Sequence, residues 1–419
     1  MMHQLKNKIR QRLVSGYSRF FSSTAVDAQE LKSAIASILN DFVRRDRLEI
    51  SDNEKLKITE ELTDELIGYG PLEPLLKDPQ VSEIMINGAH KVYVERNGET
   101  KCVDIVFDDD DQLMYFVYKI LAPTRRRVDE SFPYTDVSLK DGSRVNIIIP
   151  PLALNGPVVT IRKFSKEIAT IDDLVAMGTL DKRMGELLVA SIRGKVNIVF
   201  AGPTGAGKTT TLNVLSACIP DDERIVTIED TAELHLLQEH VVRLEARQPN
   251  IEGKGEVSIR ELFKNTLRMR PDRIILGEIR GAEALDMLQA ICSGHAGSLS
   301  VIHANSPEDV IYRLETMILA SGIPLTLEAI HRQIATSVNL IVQQEQLLGG
   351  ARKITYITQV NGLKDGQIVM EDIFRYELEG IDAEGKVQGK WAATGVIPAF
   401  YPLLKKLDID LPVEIFNRG

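Results

Sequence analysis

The sequence predicts an α/β protein with two folded units, a smaller α+β sheet domain and then a larger domain with a largely parallel sheet covered by helices. Three observations predict this fold class. The length of 419 residues suits two separate cores. Short strand-like runs with turn signals between them fill residues 81–165, which is typical of hairpins. Beyond residue 178, strand-like runs alternate with longer helical patterns, which favours parallel strands joined by helices.

The composition excludes several classes of protein. A hydrophobic content of 44% with 26% charged residues is typical of a globular chain. The apolar runs end well before the roughly 18 to 20 residues that a bilayer crossing needs. The cysteines Cys102, Cys218 and Cys292 are far apart and odd in number, so we expect reduced thiols. Because no secretory signal peptide is recognisable either, we expect a cytoplasmic location.

The charge is unevenly distributed along the chain. The formal net charge is −10, yet residues 1–26 contain five basic residues and no acidic one. The remainder is therefore more acidic than the chain as a whole. Since an acidic surface repels phosphate backbones, we expect no nucleic-acid partner.

The first 70 residues carry helical patterns. Leu5, Ile9, Leu13 and Tyr17 are four residues apart beside basic residues, and Phe20 and Phe21 follow. This stripe predicts an amphipathic arm. The arm either docks on a partner or a membrane surface, or crosses a neighbouring surface as a terminal helix, and a transit peptide is also compatible with its composition. The predicted boundaries are a basic arm at 1–26, a helical segment at 27–70, the α+β domain at 71–165, a linker at 166–178, the larger α/β domain at 179–375 and a C-terminal tail at 376–419.

A glycine-rich segment in the larger domain matches the phosphate-binding P-loop pattern. It lies between the strand predicted at 196–201 and a helix that starts near Lys208, which is the context the motif requires. Its glycines let backbone amides point at phosphate oxygens, and the helix N-terminus adds partial positive charge. We expect Lys208 to contact the β- and γ-phosphates of ATP, and Thr209 to bind Mg²⁺. The predicted binding residues are Gly202, Pro203, Thr204, Gly205, Ala206, Gly207, Lys208, Thr209 and Thr210.

Two acidic strand ends supply candidate catalytic carboxylates. Glu229 ends one apolar run and Glu278 follows another, and the carboxyl ends of parallel strands meet at one sheet edge. Glu278 takes the Walker-B position, but Gly277 stands where many P-loop proteins have a metal-binding Asp. We therefore expect Mg²⁺ to be held by Thr209, phosphates and water, with Glu278 acting through water. Structural capping is the alternative role for either glutamate.

A histidine ends a third predicted strand. His303 falls at the same sheet edge as the two glutamates, so we expect it to sense the γ-phosphate. The alternative is an ordinary structural histidine. His295, at the start of the same segment, is left open between the two roles. ATP bound at the P-loop, with two glutamates and a histidine at the same sheet edge, predicts an ATPase rather than a nucleotide-gated binding module.

Four of these stretches occur in a characteristic order. With the P-loop, the acidic strand end at 229–230, residues 267–280 and residues 294–305, the chain resembles the secretion ATPase superfamily, whose Walker A, Asp box, Walker B and His box they look like. Residues 70–79, 81–88 and 92–96 look like the CpaF branch, the motor ATPases of Tad pilus assembly. Type IV secretion traffic ATPases and the archaellum motor remain possible relatives.

The resemblance implies further properties. It implies a RecA-like P-loop ATPase domain, a homo-hexameric ring and docking on inner-membrane platform proteins at the inner face of the cytoplasmic membrane. It implies ATP turnover that drives pilus assembly or retraction. It also implies catalytic arginines from the sheet domain at Arg144 and Arg162, for which an ordinary strand-edge role is the alternative. Arg243, Arg247, Arg268 and Arg270 fit the family pattern without a resolved role. A nucleic-acid-stimulated translocase is the competing class.

Overall fold

The chain divides into two compact units, Met1–Lys163 and Phe164–Gly419. Each has its own hydrophobic core, and together they confirm the predicted fold class, a RecA-like α/β domain preceded by a smaller α+β domain and helices. The computed structural model describes residues 5, 8, 9, 12, 13, 28–66, 68–96, 98–124, 126–139, 141–163, 170–247, 249, 254–382, 385 and 387–418.

The first unit begins with helices that bury the apolar stripe of the basic arm. Leu5, Ile9 and Leu13 are buried in one cluster with side chains of two helices, α1 (Ala28–Arg45) and α2 (Asp52–Leu66). Lys8 Nζ lies 3.2 Å from Asp46 Oδ2, which adds an ion pair beside this contact. The described arm residues therefore cover helices of their own chain, which is the terminal-helix alternative. Tyr17, Phe20 and Phe21 of the predicted stripe lie outside the described residues.

The sheet of the first unit is antiparallel throughout its described strands. Its spatial order is β3-β2-β1-β6-β5-β4, and a buried core lies between one face and the helix α4. Asp109 caps this helix by accepting a hydrogen bond of 2.8 Å from the Gln112 amide, so the acidic run at 108–111 leads into a helix. The elements are α3 (Glu73–Lys77), β1 (Val81–Asn87), β2 (Val92–Arg96), β3 (Glu99–Val103), α4 (Asp110–Leu121), β4 (Tyr134–Ser138), β5 (Arg144–Ile148) and β6 (Val158–Arg162).

The second unit contains a mixed sheet whose described strands follow the order β15-β14-β13-β12-β7-β11-β10-β8-β9. Strands β12, β7, β11, β10, β8 and β9 are parallel, and β13 to β15 extend the sheet as antiparallel strands. The elements up to β11 are α5 (Ile171–Ala176), α6 (Lys182–Arg193), β7 (Ile198–Ala201), α7 (Lys208–Ser216), β8 (Ile225–Glu229), β9 (Val241–Glu245), α8 (Ile259–Thr266), β10 (Arg273–Leu276), α9 (Glu283–Cys292) and β11 (Leu299–Ile302).

The remaining elements complete both faces of this sheet. Because side chains alternate along a strand, Ile198 and Phe200 of β7 pack into one core while Val199 and Ala201 pack into the other. The central strand is thus buried on both faces, as its continuous apolar run indicates. The elements are α10 (Pro307–Ala320), α11 (Leu327–Ser337), β12 (Leu340–Gln346), β13 (Arg352–Lys364), β14 (Gln367–Ile381), β15 (Val387–Ala393) and α12 (Tyr401–Lys406).

One predicted boundary falls inside a strand, and the predicted linker contains a helix. Residue 375 lies within β14, and β15 pairs with that strand, so the segment predicted as a tail belongs to the sheet. Trp391 donates a hydrogen bond of 2.8 Å from Nε1 to the Ile354 carbonyl, and Phe416 is buried in the same core. The predicted linker likewise contains α5, whose Leu174 is buried. The sequence does not indicate that residues beyond 375 join the sheet, because β14 and β15 mix apolar and polar side chains with no period that would mark a domain boundary.

Among the described residues, no helix has both the length and the apolarity that a bilayer crossing requires.

Candidate active site

The predicted P-loop connects β7 to α7 and curls through three left-handed or extended glycines. Gly202, Gly205 and Gly207 have φ angles of 151°, 80° and 94°. A Cβ at position 202 would overlap the Gln344 carbonyl oxygen, and one at position 207 would lie 2.9 Å from Gln344 Nε2. Glycine is therefore required here both by backbone conformation and by the close approach of β12.

The first turn of α7 carries the predicted phosphate-binding lysine. Lys208 is 6% exposed, and its Nζ donates a hydrogen bond of 2.8 Å to the Pro203 carbonyl at the start of the loop. Thr209 and Thr210 follow at half-buried positions. Thr211 is fully buried and donates a hydrogen bond of 2.8 Å to Gln344 Oε1. The loop thus leads into a helix N-terminus, where unpaired amides and the helix dipole favour an anion.

A chain of polar contacts lies at the same sheet edge, where β10 and β11 end. Glu278 Oε1 is 3.0 Å from His303 Nε2, and Glu278 Oε2 accepts a hydrogen bond of 2.7 Å from Arg280 Nη2. Arg280 Nη1 in turn lies 3.2 Å from Asp230 Oδ2, which follows β8. Three neighbouring strand ends therefore contribute to one connected group, as the strand pattern predicts.

The environment of His303 favours its neutral form. Burial is the largest cause and lowers the pKa of the imidazole. The positive charges of Lys208, Arg280 and Arg313 lower this pKa further, whereas the Glu278 carboxylate raises it. A neutral ring that faces a carboxylate through Nε2 carries its proton there, so Nδ1 keeps a lone pair.

Glu229 is more deeply buried than Glu278. It is 3% exposed, and its Oε1 accepts hydrogen bonds from the amides of Glu233 and Leu234 at 2.8 and 2.9 Å. Within the described residues Oε2 is buried without a hydrogen-bond partner. Burial raises the pKa of Glu229 from 4.5 to about 7, and the two amides and Arg243 only partly oppose it. Such a carboxyl group exchanges its proton near neutral pH, as a general base must.

The glycine in the Walker-B segment has a structural reason. A Cβ at Gly277 would lie 2.8 Å from Cγ of Glu229, the side chain that occupies the neighbouring strand end. An aspartate at this position would therefore displace Glu229. The buried Glu229 side chain is therefore the structural reason why Gly277 stands in place of the usual Asp.

The two histidines of the segment at 294–305 lie at opposite edges of the sheet. His295 precedes β11 and contacts the Ala290 carbonyl through Nδ1 at 3.2 Å, whereas His303 follows the strand. A Cβ at Gly297 would collide with the guanidinium of Arg273, which is buried and paired with Glu223. The first half of this segment therefore packs the amino edge of the sheet, away from the P-loop.

Arg144 and Arg162 are direct cross-strand neighbours in the first unit. They pair Cα to Cα between β5 and β6, so their side chains share one face of the sheet. Glu83 on β1 is the next residue along this row, and Arg162 lowers its pKa against the stronger raising effect of burial. Like charges directly opposite each other disfavour pairing, so packing alone does not account for two arginines here.

The four other arginines separate by position. Arg243 on β9 is close enough to lower the pKa of Glu229. Arg247 donates a hydrogen bond of 2.5 Å from Nε to the Gly255 carbonyl. Arg268 and Arg270 precede β10, at the amino edge of the sheet.

Three contacting residues carry no role in the sequence prediction. Arg280 lies within the quoted Walker-B segment, so its position beside Glu278 is a signal that the motif contains. Gln344 and Arg352, which donates a hydrogen bond of 2.9 Å from Nε to the Gly205 carbonyl, lie far along the chain from the P-loop. No local pattern places them there, because β12 and β13 reach the loop only through sheet pairing.

The donor set fits magnesium bound together with nucleotide rather than by protein alone. Among the described residues, no cluster of three or more His, Cys, Asp or Glu side chains could hold a metal ion. Thr209 offers a hydroxyl, and both Glu278 oxygens already have protein partners. Since Mg²⁺ keeps several waters and accepts phosphate oxygens, Thr209 with outer-sphere Glu278 is a sufficient protein contribution.

The sequence matches a protein family over most of its length. Residues 65–358 match the family described as Type II/IV secretion system protein. The chain is 33% identical over 314 residues to a Mycobacterium tuberculosis protein provisionally named for conjugal transfer, covering 74% of this chain and 89% of that protein. It is 33% identical over 299 residues to the type IV secretion system protein VirB11 of Brucella suis, covering 65% and 83%.

One solved structure is also similar to the chain in sequence. The VirB11 ATPase from the Brucella suis type IV secretion system, crystallised with sulphate, is 30% identical and covers 68% of this chain and 94% of that chain, with a TM-score of 0.38. The family match spans the end of α2, the whole first sheet, the P-loop and the strand ends that carry Glu278 and His303. The chain therefore belongs to the type II/IV secretion system protein family.

Proposed function

We propose that this protein is a Mg²⁺-dependent ATPase whose hydrolysis drives a secretion or pilus-assembly machine. The observation that carries the proposal is the Glu278–His303 pair at the P-loop edge, with Lys208 near enough to alter the pKa of the imidazole. A phosphate cradle alone would support only binding. A carboxylate and a neutral imidazole beside the cradle supply groups that can orient the attacking water and contact the γ-phosphate.

The two glutamates take different parts in the proposed reaction. Glu278 is held on both oxygens by protein side chains, so it would orient water around the nucleotide and its metal rather than accept a proton. Glu229 has a pKa of about 7 and one oxygen without a described partner, which suits a group that takes a proton from water. Lys208 and the amides at the start of α7 stabilise the negative charge on the transferred phosphoryl group.

Magnesium would supply charge neutralisation at the β- and γ-phosphate oxygens. The hydroxyl of Thr209 would hold it, and Glu278 would contact its water shell. Arg144 and Arg162 stay as proposed contributors to turnover, because two guanidinium groups on one sheet face match the charge of phosphates.

The machine that the ATPase would drive is the finer part of the proposal. The motifs at 70–79, 81–88 and 92–96 support a role in assembly, with retraction also possible, of a Tad or type IV-like pilus. A type IV secretion traffic ATPase is the second candidate, favoured by the names VirB11 and, for a Rhizobium radiobacter protein 30% identical over 307 residues, conjugal transfer protein TrbB. We further propose a cytoplasmic homo-hexamer recruited by inner-membrane platform proteins.

Phosphate release by the purified protein tests the enzymatic proposal. The unaltered protein should release phosphate from ATP only with Mg²⁺, and Lys208→Ala should abolish release. Glu278→Gln should lower kcat by about 10² or more while ADP still binds. If Glu278→Gln turns over ATP at the unaltered rate, the assignment of this edge as the catalytic site is wrong.

Assembly is tested by varying protein concentration. If a ring completes the site, specific activity should rise with concentration in parallel with a hexamer peak in light scattering. Constant activity across the range that assembles the hexamer would contradict a shared site. Strong stimulation by DNA or RNA would instead favour the translocase class.

The partner is tested by purification from detergent-solubilised membranes. Co-purification of a pilus platform protein supports the Tad-like role, and co-purification of a conjugation or type IV secretion channel component supports the traffic role. The Lys208→Ala protein, which keeps its surface, is the matched control for contacts that depend on nucleotide.

A further inference from the structure

The hairpin formed by β12 and β13 contacts the P-loop from the side opposite to Glu278 and His303. Strand β12 pairs with β7 on one side, while β11 pairs with β7 on the other. Gln346 and Arg352 are cross-strand partners at the end of this hairpin next to its turn. A Cβ at Gly205 would lie 3.5 Å from Gln346 Oε1, so this end of the hairpin lies beside the tip of the loop.

Strand β12 holds the base of the P-loop through Gln344. Its carbonyl oxygen occupies the space that a side chain at Gly202 would need, and its Oε1 accepts the hydrogen bond from Thr211. Gln344 is 2% exposed. The start of the loop and the first turn of α7 are therefore fixed to one strand residue.

Arg352 holds the tip of the loop. Its Nε donates a hydrogen bond of 2.9 Å to the Gly205 carbonyl, and its Cδ lies 3.2 Å from where a Cβ at Gly207 would be. The Gly205 carbonyl and the Ala206 amide belong to one peptide plane, and that amide donates to the Pro203 carbonyl at 3.3 Å. This peptide is therefore held at both ends.

The orientation of this peptide matters for anion binding. Gly205 and Gly207 have positive φ angles, and glycine peptides reorient readily because they lack a Cβ. The amides of Gly207 and Lys208 follow directly and form the N-terminus of α7. A loop that must be ordered when phosphate binds loses affinity by the entropy of ordering. Arg352 removes that cost and adds a positive charge next to the cradle.

We propose that Arg352 is a positioning residue that fixes the P-loop tip and thereby tightens the binding of a nucleoside di- or triphosphate. The inference rests on the proposed nucleotide-binding function. It concerns nucleotide affinity rather than the chemical step, because Arg352 contacts the loop on the side away from the catalytic pair.

The test compares Arg352→Gln and Arg352→Lys with the unaltered protein. Titration with ADP should show a dissociation constant about tenfold higher for Arg352→Gln, a fold-change within the range for loss of a hydrogen bond to a charged donor. KM for ATP should rise similarly, with kcat unchanged within about twofold. Arg352→Lys keeps a charged donor and should recover much of the affinity. The matched control is Arg375→Gln. Arg375 lies on the next strand, and its exposed guanidinium is paired with Glu377 at 2.8 Å.

Each outcome decides the inference. An unchanged ADP affinity in Arg352→Gln, or an equal loss in Arg375→Gln, overturns it. A fall in kcat with unchanged affinity also overturns it, because the residue would then act on chemistry. If the unaltered protein binds ADP but releases no phosphate from ATP, the proposed hydrolysis fails while a tenfold affinity loss in Arg352→Gln still supports the inference. Thermal unfolding without nucleotide shows whether the variants remain folded.

Discussion

Glu278 Oε1 lies 3.0 Å from His303 Nε2, and the other oxygen of this carboxylate accepts from Arg280. Both oxygens of the Walker-B glutamate are thus oriented by cationic or proton-bearing side chains from the neighbouring loops. This arrangement fixes the direction of the carboxylate. It also couples the position of Glu278 to that of His303, so a substitution of one residue should shift the side chain of the other.

Replacing His303 should slow hydrolysis without weakening nucleotide binding. We expect His303→Ala to lower kcat by about 10²-fold, because it removes a neutral contact near the γ-phosphate and one partner of Glu278. The dissociation constant for ADP should stay within about twofold, since ADP lacks that phosphate. Steady-state phosphate release and ADP titration measure the two quantities.

The second histidine of the same segment is the matched control. His295→Ala should leave kcat within about threefold, because this residue lies at the amino edge of the sheet beside Ala290. Equal losses of kcat in the two variants would show that the sheet edges do not separate the roles of the histidines.

Glu229 should make stability depend on pH. Its folded pKa of about 7 exceeds the ordinary value of 4.5, so between these values the folded protein holds a proton that the unfolded chain has released. The free energy of unfolding should therefore fall as pH rises through this window, by up to roughly 3 kcal/mol for this group, and not fall further above it. Urea unfolding at pH 5, 6, 7 and 8 measures the slope.

Glu229→Gln should flatten this dependence. Glutamine does not titrate and keeps an acceptor for the amides of Glu233 and Leu234, so the variant should gain stability relative to the unaltered protein as pH rises. Parallel stability curves for the two proteins would mean that the carboxyl pKa is not raised by burial.

Gly277 and Glu229 should be energetically coupled. Gly277→Ala places a Cβ 2.8 Å from Glu229 Cγ, and we expect a loss of about 1–3 kcal/mol in the free energy of unfolding. In a Glu229→Ala background the colliding atom is gone, so the same change should cost clearly less. Chemical denaturation of the four proteins gives the coupling energy.

A nearby glycine controls for the loss of glycine itself. Gly281→Ala meets its nearest atom, Glu283 Oε2, at 3.4 Å, which is an ordinary contact, and should cost much less. If Gly277→Ala is as harmful without the Glu229 side chain as with it, the proposed reason for glycine in this segment is wrong.

Arg144 and Arg162 should matter more for turnover than for stability. Their direct cross-strand pairing places two positive charges together, so Arg144→Gln and Arg162→Gln should each change the free energy of unfolding by no more than about 1 kcal/mol. If they stabilise a phosphoryl transition state, each should lower kcat by about 10²-fold or more. Phosphate release and urea unfolding separate the two effects.

An exposed lysine on the edge of the same sheet provides the comparison. Lys101→Gln, which removes an ion pair of 2.7 Å with Glu99, should leave both kcat and stability nearly unchanged. Loss of stability without loss of kcat in the arginine variants would assign them an ordinary structural role.

Much of the site could be predicted because its residues lie next to strand ends in the sequence. An apolar run precedes the P-loop with its glycines and Lys208, and others lead to Glu229, Glu278 and His303. Because these runs form parallel strands, their carboxyl ends meet at one edge of the sheet. The sequence prediction is weaker for His295, because the role of a histidine in this segment depends on which end of the strand it lies at. His295 and His303 share one motif, but a strand only four residues long separates them to opposite edges.

The fold class, the P-loop pattern and the polar side chains at one sheet edge can be predicted without the structure, because they depend on local periodicity and on residues close in sequence. Which of these groups contact one another follows from the three-dimensional packing alone. Burial, not sequence, raises the pKa of Glu229, and the same side chain requires glycine at Gly277. Strand pairing brings Gln344 and Arg352 to a loop more than 130 residues earlier. Such contacts depend on sheet order, which no local pattern of residues encodes.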